Sequence, residues 1–146
     1  NLITATYDAV NHLKSFSELK KLFSNSYNAL EKKGFFIFDL NTKKGLKNWD
    51  GLDIQNSDDI TLIRKGIFFE EENRAYMHIF GFVQGENNLY EKFDEKMFNT
   101  AFEMAEVEKE LYNAGFQEVI FTETFNYENI LKDPEMAGRV LIIAKK

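Results

Sequence analysis

The chain has 146 residues, the size of one ordinary domain, and its 44% hydrophobic residues are enough to build a sizeable core. A net charge of −6, with no cluster of lysine and arginine, argues against a protein that binds the nucleic-acid backbone. Without cysteine, with two separated histidines and with no apolar run of roughly 18 residues, we expect no metal site and no membrane partner, and cytoplasm is the default location.

The first segment is an apolar run over residues 2–7, which predicts a strand. Three polar residues, Asp8, Asn11 and His12, follow it directly. Ligands sit at the ends of strands in an open parallel sheet, so these residues are candidates for one half of a ligand site. In the alternative interpretation, Asp8 and Asn11 form a turn and a cap while His12 packs nearby.

A helix and a second strand follow. Ser15, with Glu18 three residues later, predicts a capped helix start, and Gly34 predicts the helix end. The continuous apolar run over residues 35–40 predicts a strand that is covered on both faces. Asp39 lies at the end of this run, either facing a ligand cleft or bonded to loop amides.

The middle of the chain departs from strand–helix alternation. Residues 41–57 are predicted to form a loop or short helix, and their length suggests a lid in which Trp49 closes over a ligand or simply pins the loop. Three strands are predicted next, over 60–69, 74–83 and 89–98, with turn-like links at 70–73 and 84–88. We therefore expect a three-stranded antiparallel insert at about residues 58–100.

The two-residue period of the central insert strand places Tyr76 and His78 on one face. These residues, together with Tyr90, are candidates to line a ligand pocket. The alternative is that they are ordinary sheet residues.

The last segments return to alternation. A helix is predicted over 103–114 with Gly115 as its stop, then a strand over 116–125, a connection over 126–138 and a closing strand over 139–144.

Four stretches, taken in order, resemble the C-terminal half of class I S-adenosylmethionine-dependent methyltransferases. Residues 2–13 are similar to the fourth strand of the family and the polar motif after it. Residues 29–39 are similar to the helix end and the fifth strand, with Lys33 in place of the first of two glycines. Residues 105–116 and 139–146 are similar to the helix before the sixth strand and to the last strand.

The insert resembles that of one bacterial subgroup of small-molecule methyltransferases. Its third strand in that subgroup tends to read Phe-Asp-Glu-x-His, then Arg, then an aromatic residue. This chain has Phe93-Asp94-Glu95-Lys96-Met97, so Met97 replaces the histidine and Thr100 the arginine. If those positions touch substrate in relatives, this protein handles a different substrate or none.

The resemblance implies an α/β fold, the second half of a doubly wound, Rossmann-like methyltransferase sheet, with four core strands of which the last is antiparallel. The glycine-rich loop that holds the cofactor in the family has no counterpart here, since the eight glycines are scattered. We therefore expect a chain truncated before Asn1, inactive alone, whose exposed sheet edges favour self-association.

The implied function of the full-length parent is methyl transfer from S-adenosylmethionine to a nitrogen or oxygen of a small molecule. The resemblance places Asp8, Asn11 and His12 beside the cofactor, with His12 a weak candidate for proton transfer. The substrate-binding candidates are Asp39, Trp49, Tyr76, His78 and Tyr90. The alternative function is a non-enzymatic ligand-binding or oligomerisation module that uses an aromatic sheet face.

Overall fold

The computed structural model describes residues 1–86 and 89–146, which form two β-sheets and three α-helices. The elements in chain order are β1 (Leu2–Ala5), α1 (Phe16–Ala29), β2 (Phe35–Asn41), α2 (Lys43–Lys47), β3 (Gly51–Asn56), β4 (Ile60–Phe69), β5 (Arg74–Gln84), β6 (Tyr90–Thr100), α3 (Met104–Ala114), β7 (Glu118–Glu123), β8 (Asn126–Ile130) and β9 (Arg139–Lys145). Single 3-10 turns lie at Ala9–His12, Glu70–Glu72 and Pro134–Met136. Over the described ranges, no helix combines the length and the hydropathy needed to cross a bilayer.

The main sheet has the strand order β1-β2-β9-β7-β8. β1 and β2 are parallel, whereas β9 is antiparallel to both of its neighbours, β2 and β7. This confirms the predicted α/β fold with an antiparallel closing strand. The expectation of four core strands and of an irregular connection over 126–138 was wrong, because part of that connection forms β8 against β7. All of β8 is exposed, so no alternation of apolar residues marks it in the sequence.

Helices α1 and α3 cover one face of the main sheet and bury its core. Phe36, Phe38 and Leu40 alternate along β2 and are fully buried on that face. The Phe23 ring of α1 lies 5.5 Å from the Phe38 ring, so aromatic packing joins helix and sheet. By the same alternation, Asp39 lies on the opposite face, away from the helices.

The predicted start of α1 is confirmed, whereas its predicted end was wrong. The Ser15 hydroxyl accepts a hydrogen bond from the backbone N–H of Glu18, as a helix N-cap does. The helix ends at Ala29, five residues before Gly34, and the turn that follows places Lys33 in the left-handed region at φ 64°. Gly34 lies where a side chain would clash, since an added Cβ would be 2.9 Å from a backbone carbonyl oxygen.

The second sheet is an antiparallel meander of four strands, β3-β4-β5-β6. The three predicted strands are confirmed, and the predicted loop or lid over 41–57 was wrong beyond the short helix α2. Residues 51–56 form β3, which pairs with β4 along its whole length. β3 is fully exposed and lacks an apolar pattern, so only its partner strand defines it. The predicted link over 84–88 lies partly outside the described residues.

Candidate functional site

Charged side chains converge at one edge of the main sheet. The parallel strands β1 and β2 end there, and the antiparallel β9 begins there. The Arg139 guanidinium contacts Asp39 Oδ2 and lies 3.4 Å from Asp8 Oδ1. The backbone N–H of Asp8 donates to the same Asp39 Oδ2 at 3.1 Å. Three groups that are distant in sequence therefore form one cluster with two carboxylates and one cation.

The Asp39 carboxylate is used on one side only. Oδ2 accepts hydrogen bonds from Asp8 and Arg139, whereas Oδ1 has no hydrogen-bond partner. The residue is 3% exposed, so water does not satisfy that oxygen from the surface. A buried polar atom without a partner is unfavourable and rare in folded proteins.

The backbone beside this cluster is strained. Tyr7 and Asp8 both have left-handed conformations, with φ values of 60° and 51°. A bulky residue such as tyrosine seldom adopts this region, and such outliers concentrate at functional sites. The conformation directs the Tyr7 side chain into solvent, where it is 85% exposed.

A cavity of about 200 Å³ adjoins the cluster. Its lining combines the charged pair with aromatic and hydroxyl side chains, contributed by Thr6, Tyr7, Asp39, Thr124, Phe125, Tyr127, Arg139 and Leu141. The Thr124 hydroxyl is a second buried polar atom without a partner at this cavity. Few convergent polar groups in a largely apolar pocket are typical of a small-molecule site.

Asn11 ties the two sheets together from inside the protein. Its Nδ2 donates to the carbonyl oxygens of Asn41 at 3.0 Å and Thr100 at 2.9 Å. Its Oδ1 accepts from the backbone N–H of Asn41 at 2.8 Å. The side chain is fully buried, and its bonds hold the ends of β2 and β6 beside β1.

His12 is exposed at the end of the 3-10 turn after β1. Its ring stands edge-on to the Phe98 ring, with centroids 6.4 Å apart. The Tyr76 ring lies 6.3 Å from the same Phe98 ring, and its hydroxyl donates to Glu72 Oε2 at 2.6 Å. Two of the predicted residues, His12 and Tyr76, therefore lie around one phenylalanine at the base of the second sheet.

His78 is engaged within the second sheet. Its Nε2 lies 2.7 Å from Asp94 Oδ1 on the neighbouring strand, and its ring packs on Phe80 at 4.6 Å. The hydrogen bond from His78 is the main reason that the pKa of Asp94 lies below its usual value.

The remaining candidates lie apart from this site. Trp49 packs against Leu46, Phe68 and Ala75, and it pins the start of the insert rather than closing a lid. It also lines a separate cavity of about 280 Å³.

Tyr90, which is 57% exposed, lies at the far end of the insert. Tyr76 pairs with Phe98 of β6, and Tyr90 lies eight positions before Phe98 on that strand. Eight positions along a strand correspond to about 26 Å between Tyr90 and Phe98. Tyr76 and Tyr90 therefore cannot contact one small ligand together.

The two departures from the bacterial subgroup have different surroundings. The Thr100 hydroxyl donates to the Leu13 carbonyl oxygen at 2.7 Å, so it serves the connection between the sheets. Met97 is 37% exposed on the sheet surface opposite Met77.

Sequence reasoning missed Arg139 and Thr124. Arg139 was assigned only to the start of the closing strand, although a charged residue before a buried apolar run indicates a partner at that edge. Thr124 gave no signal, because its neighbourhood depends on the hairpin between β7 and β8.

The fold defined by these elements is that of the C-terminal part of a class I S-adenosylmethionine-dependent methyltransferase. An S-adenosylmethionine-dependent methyltransferase from Clostridium acetobutylicum ATCC 824 superposes with a TM-score of 0.86 at 24% identity, covering 99% of this chain and 57% of that chain. No family model matches the chain.

Two bacterial proteins are similar in sequence. A Geobacillus sp. (strain WCH70) protein with the name "Putative methyltransferase" is 26% identical over 146 residues, or 99% of this chain and 58% of that protein. "Putative methyltransferase YqeM" of Bacillus subtilis (strain 168) is 25% identical over 112 residues, or 75% of this chain and 45% of that protein. These similarities confirm the resemblance to the methyltransferase family, and the chain spans about half the length of the curated relatives it matches.

Proposed function

We propose that the chain forms the acceptor-side part of an enzyme that transfers a methyl group from S-adenosylmethionine to a nitrogen or oxygen of a small molecule. The observation that carries this proposal is the similarity of nearly the whole chain to the corresponding part of an S-adenosylmethionine-dependent methyltransferase. The convergence of Asp8, Asp39 and Arg139 at the ends of the strands supports it, because ligands bind at that edge of open α/β sheets.

The proposal assigns S-adenosylmethionine binding mainly to a part of the relatives that this chain does not cover. The sequence has no glycine-rich cluster to hold the methionine end of the cofactor. Asp8 is the member of the predicted cofactor set whose side chain is partly exposed at the strand end, and Asn11 would act only by holding that connection in place. By itself, the chain should bind the cofactor weakly and be inactive.

Calorimetric titration of S-adenosylmethionine tests this assignment. The Geobacillus relative should bind the cofactor at micromolar concentration, whereas this chain should give no measurable heat over the same range. Micromolar binding to this chain would overturn the claim that the uncovered part is required. Failure of the relative to bind would count against the methyl-transfer proposal as a whole.

The role proposed for His12 is to accept a proton from the methyl acceptor, since His12 is exposed and its ring lies beside Phe98, which the Tyr76 ring also contacts. A chimera that joins the uncovered part of the Geobacillus protein to this chain provides the assay, with labelled methyl groups counted on small-molecule amines and alcohols.

In that chimera, His12→Gln should lower kcat by a factor of about 100 if His12 is the base. The KM for the cofactor should be unchanged. A kcat within threefold of the parent value would show that His12 is not the base, and that methyl transfer depends on the positioning of donor and acceptor.

We also propose that the chain self-associates through a sheet edge. Within the described residues, β1 forms one edge of the main sheet and pairs with β2 alone, and its Leu2 is 57% exposed. An unpaired edge strand with apolar side chains is a template for pairing with another chain. Small-angle scattering over a concentration series should show a rising apparent mass, and a constant monomer mass at high concentration would contradict this proposal.

A further inference from the structure

Strand β3 forms an open edge of the second sheet. Within residues 1–86 and 89–146, it pairs with β4 alone, and every residue of Gly51–Asn56 is exposed. Native proteins protect such an edge with charged side chains, proline or a bulge. β3 contains no lysine or proline and pairs regularly with β4, and its one charged residue, Asp53, is bonded to Arg64 of β4 at 2.7 Å. The edge is therefore open to pairing with another strand.

Backbone hydrogen bonds show which groups of β3 face away from the sheet. The N–H of Ser57 donates to the carbonyl oxygen of Ile60 at 2.9 Å, and such bonded pairs alternate with pairs that have no hydrogen bond in antiparallel strands. The N–H of Gln84 donates to the Asp59 carbonyl oxygen at 2.7 Å, so Asp59 faces β5 and its neighbour Ile60 faces β3, in agreement with this alternation. Three residues of β3 therefore direct their N–H and C=O groups to the open edge: Leu52, Ile54 and Asn56.

One register between two copies of β3 uses all three of these residues. If the copies run antiparallel around a two-fold axis at Ile54, the two Ile54 residues face each other and each Leu52 faces Asn56 of the other copy. Each such pair exchanges two hydrogen bonds, so the three pairs form six. The same register sets Asp53 opposite Gln55, a carboxylate facing an amide donor. An axis at Asp53 would instead oppose two carboxylates, which is destabilising.

Side chains on one face of the second sheet support this register. Ile54 lies opposite Ile63 of β4, which lies opposite Phe80 of β5, so an apolar row crosses three strands and ends at the edge. Ile54 is 58% exposed there, and Leu52 on the same face is 64% exposed. With two copies paired at Ile54, the row continues without a break from one Phe80 to the other, and apolar cross-strand pairs stabilise a sheet.

We propose that the chain forms a symmetric dimer through β3, in which the second sheets of two copies join into one continuous antiparallel sheet. Such a contact closes after two copies, because both use the same strand. The paired edge is short, so association is weak, with a dissociation constant of roughly 0.1–1 mM. The contact is separate from the β1 edge and does not depend on methyl transfer, so its failure would leave both of those proposals untouched.

Sedimentation equilibrium over a concentration series tests the dimer. The starting protein is the Leu2→Lys variant of this chain, because a lysine on β1 blocks pairing through that other edge. Its mass should rise from that of one chain towards that of two chains at millimolar concentration and no further. A constant monomer mass, or growth beyond two chains, would overturn the proposal.

Substitutions of Ile54 in the same background test the position of the axis. Ile54→Asp brings two carboxylates together at the axis and should weaken association at least about tenfold. Ile54→Pro removes only an outward N–H, which edge strands tolerate, and should weaken association to a similar extent. Phe82→Asp is the matched control, because it places the same charge at an apolar position that is 46% exposed on the inner strand β5, and it should change association less than twofold.

Amide hydrogen exchange, measured by NMR at millimolar protein, tests the register. The amides of Leu52 and Asn56 should exchange severalfold more slowly in the Leu2→Lys protein than in its Ile54→Asp variant, because the dimer bonds them. The amides of Asp53 and Gln55 are bonded to β4 and should be protected in both proteins. Equal exchange of Leu52 and Asn56 in the two proteins, or equal effects of Ile54→Asp and Phe82→Asp on association, would overturn the proposal.

Discussion

Replacing Asn11 with alanine should destabilise the protein more than most single substitutions. The change removes three buried hydrogen bonds and leaves the N–H and carbonyl of Asn41 and the carbonyl of Thr100 without that partner. Each buried group left unsatisfied costs about 1–3 kcal/mol, and water entering the vacated space would recover part of it, so we expect a loss of about 3–5 kcal/mol. That is a large share of the about 5–15 kcal/mol by which single domains are stable.

Urea unfolding followed by two probes measures this effect. Far-ultraviolet circular dichroism reports on α1 and α3, which pack on the main sheet. Fluorescence of Trp49, the single tryptophan, reports on the start of the second sheet. Because Asn11 joins the ends of β2 and β6, its loss should also separate the two transitions, with the fluorescence change at lower urea.

Asn25→Ala is the matched control, since it removes an exposed asparagine from α1. Alanine has the higher helix propensity, so stability should be unchanged or rise by up to about 0.7 kcal/mol. A loss of less than 1 kcal/mol for Asn11→Ala, with coincident transitions, would refute the reasoning. It would mean that water replaces the amide completely and that the two sheets are coupled by other contacts.

Three further predictions concern single positions. Gly45→Ala should destabilise by several kcal/mol, because the new Cβ would lie 1.8 Å from a backbone carbonyl oxygen, whereas Gly85→Ala, with 3.7 Å to its nearest neighbour, should change the urea midpoint little. Ser15→Ala should cost about 1 kcal/mol through loss of the N-cap of α1. Ser17→Ala, at an exposed position inside the helix, should leave stability unchanged or raise it slightly, because alanine has the higher helix propensity. Burial raises the pKa of the Glu135 carboxyl above 4.5, so the contribution of this residue to stability should fall as pH rises from about 4.5 through the raised value. Glu135→Gln should remove that part of the pH dependence. The measurement is the difference between the curves of unfolding free energy against pH for the parent and the variant.

The parts of the fold that local chemistry specifies were predicted well. Ser15 and Glu18 predict the start of α1, because an N-cap involves only residues that are three positions apart. Gly115 ends α3, because its φ of 110° is a conformation that glycine adopts readily. The helix end predicted at Gly34 was wrong because that prediction also used only a local signal. A glycine suggests a left-handed cap, but here Lys33 takes that conformation and Gly34 is required for space.

The parts that depend on distant partners were not predictable. β3 and β8 are exposed on both faces, so neither carries the alternation by which a strand is recognised. Of the main cluster, Asp39 was predicted as a site residue from its place at a strand end. Its partner Arg139 lies one hundred positions later, and only the antiparallel insertion of β9 beside β2 brings the two together.

The strain at Tyr7 and Asp8 bears on whether this edge of the sheet is functional. Two consecutive left-handed residues without glycine are unfavourable by about 1–2 kcal/mol each. The hydrogen bond from Asp8 to Asp39 and the ion pair with Arg139 hold them in place. A sheet that needed only stability would relieve the strain with glycine at position 7 or 8 and would leave no carboxylate oxygen buried without a partner. Both unfavourable features lie beside one cavity, at the edge of the sheet where ligands bind in open α/β folds.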